Sequence, residues 1–437
     1  MARTRIVIVG GGFAGFHTAR SLLRASRGHV EADIVLVNRT DYFLYLPLLP
    51  EVAAAVIDPR RVTVALPAAL PGVRLALGDV TSVSLADRQV YYADPEGGTH
   101  VLDYDRLVLA AGSVNKLLPI PGIAQHAHGF RNVAEALYLR DHVIGQVELA
   151  ATAPDAAERD ARCTFVVVGA GYTGTEVAAQ GPLFTGAILK HHRELRDQRV
   201  RWLLLDLAPR VLPELRERMS TAADRVLRHR GVEVLTGTSV DEATTDGVRL
   251  SNGEFVASRT LVWCVGVRPD PLVERTGVAT RQGRLTVDAT LAVPDQPGVF
   301  ACGDAAAVPD LMRPGQLCGM TAQHAMRQGA LCGRNVVASL GHGQIREYRH
   351  RDLGFVVDLG GWQATANPLR VPLSGLPAKV VTRGYHLIAL PGNRARTAMD
   401  WCADALLGRQ CVQLGLVRSA AVPLATKPPA SGGRSTS

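Results

Sequence analysis

The sequence predicts an α/β protein that lays down one plan twice, a parallel sheet wound on both faces by helices. Two observations carry the prediction. A glycine fingerprint occurs in two copies, RIVIVGGGFAG with Gly10, Gly12 and Gly15, and CTFVVVGAGYTGTE with Gly169, Gly171 and Gly174. Each copy ends an apolar, β-branched run and opens a helix-period segment, which gives the order strand, tight turn, helix. Gly10 and Gly169 are placed to turn. Gly12 and Gly171 leave backbone bare where a diphosphate would approach, and Gly15 and Gly174 let helix pack on strand. The helix N-terminus then offers free N–H groups and a positive dipole end, roughly 0.3–2 kcal/mol for an anion. One copy alone is weak evidence. Two in one chain imply two dinucleotides held side by side, an arrangement suited to passing a hydride.

The elements follow in order. Residues 4–9, 33–38 and 106–111 read as strands of a buried parallel sheet, with a helix over 13–24 between the first two. The stretch 65–101 alternates like a small antiparallel excursion, LDYDRLVLAAGS returns to the sheet, and Gly112 closes a turn. A helix over 133–150 and a polar linker at 152–161 lead to the second unit: strand 164–168, helix from Thr173, strand 202–206, helix 214–229, strand 232–235. TLVWCVGVRPD, turning at Gly266, is the counterpart of DRLVLAAGS, and a helix spans roughly 321–340. Beyond Gly343, REYRHRDLGFVVDLGGWQATANP reads as short strands. A basic amphipathic segment then runs from Leu376 to about Val417, broken by Pro391-Gly392 into two helices, before a tail of disordered composition.

Composition narrows the class. A length of 437 residues suggests two or three domains, and 47% hydrophobic residues provide for well-buried cores. The net charge of +8 is nearly all arginine, scattered rather than massed, and no nucleic-acid motif accompanies it. Nothing resembles a signal peptide, and no run reaches the roughly 18–20 apolar residues of a spanning helix, so a cytoplasmic location is expected. The seven cysteines form no C-x-x-C pair, which argues against a disulfide framework, and no metal-ligand spacing is visible.

The motifs GGGFAG, DRLVLAAGS, GAGYTGTE, VWCVGVRP, VFACGDAA and TAQHAMRQG, in that order, resemble the two-dinucleotide-binding flavoproteins over residues 4–340. DYFLYLPLLPEVA, Glu176, TAQ at 321–323 and the tail LGGWQATANPLRVPLSG look most like type II NADH dehydrogenases, to about residue 415. The resemblance implies two Rossmann-like, glutathione-reductase-like domains and a small α+β or helical C-terminal region. Non-covalent FAD would occupy 1–118 and 279–344, NADH 119–278, and amphipathic helices 345–425, with 426–437 a disordered tail.

By that resemblance Gly10, Gly12, Ala14 and Gly15 surround the FAD pyrophosphate, Gly112 and Gly266 turn beside the cofactors, and Gly303-Asp304 holds the ribityl and pyrophosphate region. The second strand ends in Asn38, with Arg39 next, where an acid is usual; an amide accepts more weakly than a carboxylate. Gly169, Gly171, Tyr172, Thr173 and Gly174 would hold the NADH pyrophosphate. Asp206 would accept both ribose hydroxyls and so favour NADH over NADPH, a preference that Arg210 could soften. Glu176 is expected by the flavin–nicotinamide contact, orienting the ring or relaying protons. Ala322 backbone would touch the flavin and Gln323 would bond a quinone oxygen. The family's second glutamine position is Arg327 here, followed by Gln328, and that arginine could meet a quinone oxygen or Glu176.

The resemblance implies hydride transfer from NADH to FAD and then reduction of a quinone, without proton pumping; with no redox cysteine pair near the flavin, a diffusible acceptor has to take the electrons directly. Sulfide:quinone oxidoreduction through Cys163, Cys318 or Cys332 is an alternative, as are a soluble reductase of another acceptor and a flavin-binding redox sensor. At the C-terminus, Lys379, Arg383, His386, Arg394, Arg396, Arg409 and Arg418 interleave with apolar residues, while Ala395, Ala398, Met399, Cys402 and Leu406 share one helix face. Such a segment, residues 376–418, is expected to lie on an anionic membrane surface as a peripheral contact, at about 1 kcal/mol per basic residue. Asp400 and Asp404 dilute its charge, and packing on the main body or in a homodimer is the competing account.

Overall fold

The computed structural model describes residues 3–26, 31–350 and 352–425; the tail expected to be disordered lies outside them. The first sheet has five parallel strands in the order Val299–Ala301, Arg106–Leu109, Thr4–Val9, Ala32–Asn38, Val73–Leu77. Its central strand buries Ile6, Val7 and Ile8 completely, as a run covered by helices on both faces must. The antiparallel excursion is a separate three-stranded sheet, Asp79–Ser84, Gln89–Ala93 and Thr99–Asp103. Strand Val73–Leu77, read from the sequence as part of it, instead joins the main sheet: all its side chains but Ala76 keep some exposure at the sheet edge, so alternation there marks an edge strand.

The second unit repeats the plan with four parallel strands, Val232–Thr236, Arg201–Asp206, Thr164–Val168 and Thr260–Trp263. Strand Thr164–Val168 is buried along its whole length, and Phe165 stacks on Trp202 at 4.6 Å between ring centroids. The helix expected from 214 begins at Glu217, because residues 211–215 form a turn in which Leu212 is left-handed (φ 48°). A two-stranded antiparallel ladder, Ser113–Asn115 with Val267–Pro269, joins the units immediately after their equivalent glycine turns.

Helices Phe13–Ala25 and Ala322–Ala338 cross at backbone contact. A Cβ on Gly329 would lie 2.1 Å from the Ala14 carbonyl oxygen, and one on Gly333 would lie 2.6 Å from that of Thr18. These two glycines, one turn apart, bring the start of the second helix to the first glycine turn. The C-terminal region adds the strands Val356–Asp358, Ala364–Ala366 and Leu373–Ser374, then helices Gly375–Ala389 and Arg394–Leu407. A final strap crosses to the second unit. Gly415 N–H donates to Asp141 Oδ2 (2.7 Å), and Leu424 is buried in the same apolar cluster as Val166 and Leu203.

The glycine crossing makes a prediction. Gly329→Ala, which elsewhere in a helix would gain stability, is expected to lose several kcal/mol, because backbone blocks the new methyl. Gly384→Ala, on a helix face where nothing lies within 4 Å, is the control and should be neutral or stabilising. Chemical denaturation midpoints of the two variants test the contrast.

Candidate functional site

The two glycine turns are built alike. Gly10 and Gly169 have φ of +94° and +101°, the left-handed backbone that glycine tolerates. A Cβ on Gly15 or Gly174 would come within 1.8 Å of the Gly10 or Gly169 carbonyl oxygen, whereas one on Gly12 or Gly171 would meet nothing within 4 Å. The first pair is therefore bare because the fold demands it. The second pair faces open space, so its lack of a side chain is left to a ligand. That is the shape a diphosphate needs at a helix N-terminus, and it occurs at both turns.

The strand-end residues explain the departure at Asn38. Asn38 Oδ1 accepts from Gly11 N–H (2.7 Å), and Asp206 Oδ2 accepts from Ala170 N–H (2.5 Å), the same bond in each unit. Asn38 also donates through Nδ2 to the Thr40 carbonyl oxygen (2.8 Å), which a carboxylate cannot do. The amide thus closes its own loop. The other Asp206 oxygen accepts from Ala208 N–H (2.7 Å). Arg210, expected to bear on nucleotide choice, donates instead to the carbonyls of Pro213 and Leu215 in its own loop (3.0 and 2.9 Å). Arg39 pairs with Asp79 (2.7 Å) and with buried Asp270 (3.5 Å).

Gly303-Asp304 lies where the helix crossing delivers it. Gly303 N–H donates to Gln328 Oε1 (2.8 Å), and a Cβ on Gly303 would press on the Ala14 methyl at 2.8 Å. Gln328 is therefore a strut for this turn. Asp304 Oδ2 accepts from Ser113 Oγ (2.6 Å), to which Arg131 Nη2 also donates (3.0 Å). Arg131 Nη1 is buried without a partner among the described residues. An orphaned guanidinium N–H that shares the Ser113 hydroxyl with Asp304 fits a phosphate or hydroxyl acceptor. The sequence reading missed Arg131. The visible signal was Asn132-x-x-Glu135, a capping box that fixes the helix Val133–Ala151 and with it the residue before it.

Tyr172 and Thr173 open the second fingerprint helix, Tyr172–Leu189, and the Tyr172 ring meets Phe355 edge-on at 6.4 Å. Glu176, one turn in, accepts from Asp358 N–H (2.9 Å). Burial holds its carboxyl well above the usual carboxylate range, and the charges of Asp358 and Glu51 push the same way, against the Asp358 hydrogen bond and Lys379. Ala322 is the first residue of its helix, which Thr321 caps, and Gln323 Nε2 donates to the Gly354 carbonyl oxygen (2.6 Å). Arg327 meets His350 Nδ1 at 3.2 Å, beside the His324–Tyr348 bond (2.9 Å).

The largest difference from the sequence reading lies in the C-terminal helices. Lys379 and His386, expected on the basic outer face, are 2% and 3% exposed. Lys379 Nζ donates to both Asp358 oxygens (2.7 and 2.5 Å), and His386 Nδ1 bonds the Tyr45 hydroxyl (3.1 Å), with burial depressing its pKa to about 4. Trp401 Nε1 donates to buried Glu51 Oε2, and the Arg383 guanidinium lies 4.7 Å over the Trp401 ring. Glu51, Asp358, Lys379, Arg383 and Trp401 thus form with Glu176 an internal polar group that helix-face counting could not reveal. Its members come from distant stretches.

The thiols contribute little to such a site. Cys163 and Cys318 are buried with pKa values pushed up to about 11, and Cys332 is raised further by hydrogen bonding to Cys302 and by burial. Thiols so protonated are poor nucleophiles, which removes support from a sulfide route. Among the described residues no group of three histidine, cysteine or acidic side chains is placed to hold a metal ion.

The pyridine nucleotide-disulphide oxidoreductase family matches residues 4–329. The chain belongs to that family. A type II NADH:quinone oxidoreductase of Mycobacterium tuberculosis is 31% identical over 431 residues, covering 93% of this chain and 89% of that protein. A demethylphylloquinone reductase of Synechocystis is 30% identical, covering 93% of this chain and 97% of its own length. The solved structure of NDH2 from Plasmodium falciparum superposes with a TM-score of 0.86 at 17% identity, covering 94% of this chain and all of that one, and so shares the fold. The two open glycine turns, Asp206 and the orphaned Arg131 N–H fit the FAD and NADH that the family uses.

The open and closed glycines should separate experimentally. Gly12→Ala is expected to leave the thermal midpoint of the apoprotein unchanged while weakening flavin retention at least about tenfold, roughly 1.4 kcal/mol. Gly15→Ala should lower the midpoint itself, because its methyl collides with backbone. Flavin-to-protein absorbance ratios and apoprotein melting curves distinguish the two.

Proposed function

We propose that this protein is a type II NADH:quinone oxidoreductase, taking a hydride from NADH onto FAD and passing the electrons to a quinone without pumping protons. The observation that carries the reading is the pair of open glycine turns, one per sheet, joined by the Ser113–Asn115/Val267–Pro269 ladder. It is supported by relatives of that name matching nearly the whole chain. Bound FAD supplies the redox chemistry, as acceptor for the nicotinamide hydride and donor to the quinone.

The chain's own residues position and screen. Gly12 and Gly171 admit the two diphosphates, and Asp304 with Arg131 offers an acceptor and a donor to the flavin's polar arm. The Asp206 carboxylate, fixed by two backbone N–H groups, is set to accept ribose hydroxyls and to repel a 2′-phosphate, so NADH is the preferred donor. Glu176, protonated by its burial, serves as a hydrogen-bond donor near the nicotinamide rather than as a base. Gln323 is the quinone-side donor; its amide is held by Gly354 at the start of the helix that supports the flavin turn.

The acceptor is proposed to arrive from a membrane surface. No helix among the described residues is long and apolar enough to cross a membrane. Leu376, Val380 and Ile388 align on one face of the first C-terminal helix, at 54%, 64% and 77% exposure. On the second, the face holding Ala395, Met399, Cys402 and Leu406 is exposed, while Thr397 and Trp401 point inward. The apolar faces read from the sequence therefore lie outward, flanked by Arg394 and Arg396, which suits an interfacial contact with anionic lipid at about 1 kcal/mol per basic residue.

Anaerobic stopped-flow tests the reading: NADH should bleach the flavin, and a quinone should restore its colour. Gln323→Ala is expected to leave bleaching within about twofold and to raise the quinone KM up to about tenfold, the upper end of the roughly 0.5–1.5 kcal/mol of a lost neutral hydrogen bond. Native protein that reoxidises with dyes and not with quinones would overturn the assignment. In a separate measurement, Ile388→Ser with Leu406→Ser and Leu407→Ser should cut vesicle flotation at least about tenfold, since each buried leucine or isoleucine is worth about 1.5–3 kcal/mol. Unchanged flotation would remove the membrane contact.

A further inference from the structure

No role described so far falls to Glu51, yet it is a carboxyl group only 3% exposed, in the interior between the second fingerprint helix and the C-terminal helices. The only hydrogen bond to its carboxyl oxygens among the described contacts comes from a neutral donor, Trp401 Nε1. Two further carboxyls adjoin it, Glu176 and Asp358. One cation in their midst, Lys379, gives two hydrogen bonds to Asp358. A second, Arg383, lies over the Trp401 ring and its charge also favours an ionised Glu51, but no hydrogen bond joins the two among the described contacts. Helix Val133–Ala151, packed on the other side of Glu51, carries Arg140 and Asp141, which are paired with each other. Arg409, from the strap, donates to the Ala54 carbonyl and pairs with Asp404. Three acids thus face two cations, and burying an unanswered carboxylate costs several kcal/mol. At least one of the three must therefore be protonated near neutral pH. Asp358 takes both Lys379 hydrogen bonds, which leaves Glu51 and Glu176 as the carboxyls without an ion pair among the described residues. The same burial lifts Glu51 to a pKa of about 7, where its proton is exchangeable, whereas Glu176 is held well above the usual carboxylate range.

The proposed reaction needs such a group. NADH delivers two electrons and one proton as a hydride, whereas a quinone becoming a quinol takes two electrons and two protons. One proton per turnover has to come from the medium. We propose that Glu51 stores that proton and yields it toward the quinone through the Lys379–Asp358 pair, its carboxylate being reprotonated from solvent before the next turnover. The inference deepens the quinone-reducing reading and rests on it. Glu51 acts through its neighbours and is a positioning and proton-storing residue, and Trp401 reports its charge because the indole N–H is bonded to it.

Two measurements test this independently. In flavin-loaded protein labelled with 15N-tryptophan, the Trp401 indole resonance, assigned with Trp401→Phe, is expected to titrate with a midpoint near neutral pH and to stay fixed in Glu51→Gln. In stopped-flow, Glu51→Gln should bleach with NADH at nearly the native rate, because hydride transfer draws no proton from the medium. Its reoxidation by quinone should fall by one to two orders of magnitude, the lower range of a lost proton donor, and lose its pH dependence near neutrality, with Glu51→Asp restoring part of both. A Trp401 resonance that does not move between about pH 5 and pH 9 overturns the proposal even if the substituted protein folds poorly. So does a Glu51→Gln protein that reoxidises at the native rate with the native pH profile. If the native protein fails to reduce quinones while the indole still titrates, the acceptor assignment is wrong and the buried exchangeable carboxyl remains.

Discussion

Bare backbone at a few helix crossings is the constraint on which the remaining architecture depends. Helices Phe13–Ala25 and Ala322–Ala338 touch through Gly329 and Gly333, and that contact carries Gly303 to the methyl of Ala14. A side chain at either crossing would push the second helix outward, taking Gln328 with it. The Gly303 N–H would then lose its acceptor, and Asp304 would move away from Ser113 and Arg131. The site is accordingly rigid by steric exclusion and not by strong bonds. Close packing leaves each element only one place to rest. The same device recurs in the second unit, where Gly181 lies beneath the Trp202 ring and Gly174 against the first turn of its own motif.

Much of this was legible because the signals are local. A fingerprint is a statement about neighbours within fifteen residues, and both copies fold as read, with the expected parallel strands at 4–9, 164–168 and 232–235 within a residue of their limits. The amphipathic halves on either side of Pro391-Gly392 were equally visible, since helical spacing and a breaker suffice to place them. Errors arose where one local pattern has two physical causes. Alternation at 73–77 signalled an edge strand of the main sheet and not the hairpin that follows. A lysine and a histidine interleaved with apolar residues looked like an outer basic face. They are instead inside, because Asp358 and Tyr45, each far away in the chain, supply partners that make their burial affordable.

Arg131 and Glu51 show a different limit. Neither stands in a pattern that assigns chemistry; each gains its significance from what surrounds it after folding. Among the described residues, Arg131 is notable for a donor without an acceptor, Glu51 for a carboxyl without an ion pair. Asn38 is the converse case, an apparent deviation that the fold explains, since its amide donates to Thr40 as well as accepting from Gly11. A comparison of motifs alone would rank Asn38 as the anomaly and pass over the other two.

The internal polar group also ties together parts of the molecule that share no sheet. Glu176 belongs to the second fingerprint helix, Glu51 to the stretch between the first sheet's second and third strands, and Asp358, Lys379 and Trp401 to the C-terminal region. Separating any one of these from the others would expose the Lys379–Asp358 pair to rearrangement, and losing one partner of a buried pair costs about 3–5 kcal/mol. Arg230 adds a clamp, since its guanidinium from the second unit donates to the carbonyls of Leu359 and Gly360. The proximity of the fingerprint helix to the amphipathic helices is thus fixed by electrostatics that tolerate no slack. An exposed apolar patch and the buried carboxyl of the fingerprint helix can then be held in register without a continuous sheet between them. For the proposed reaction, whose donor and acceptor differ sharply in polarity, that register would serve both from one interior.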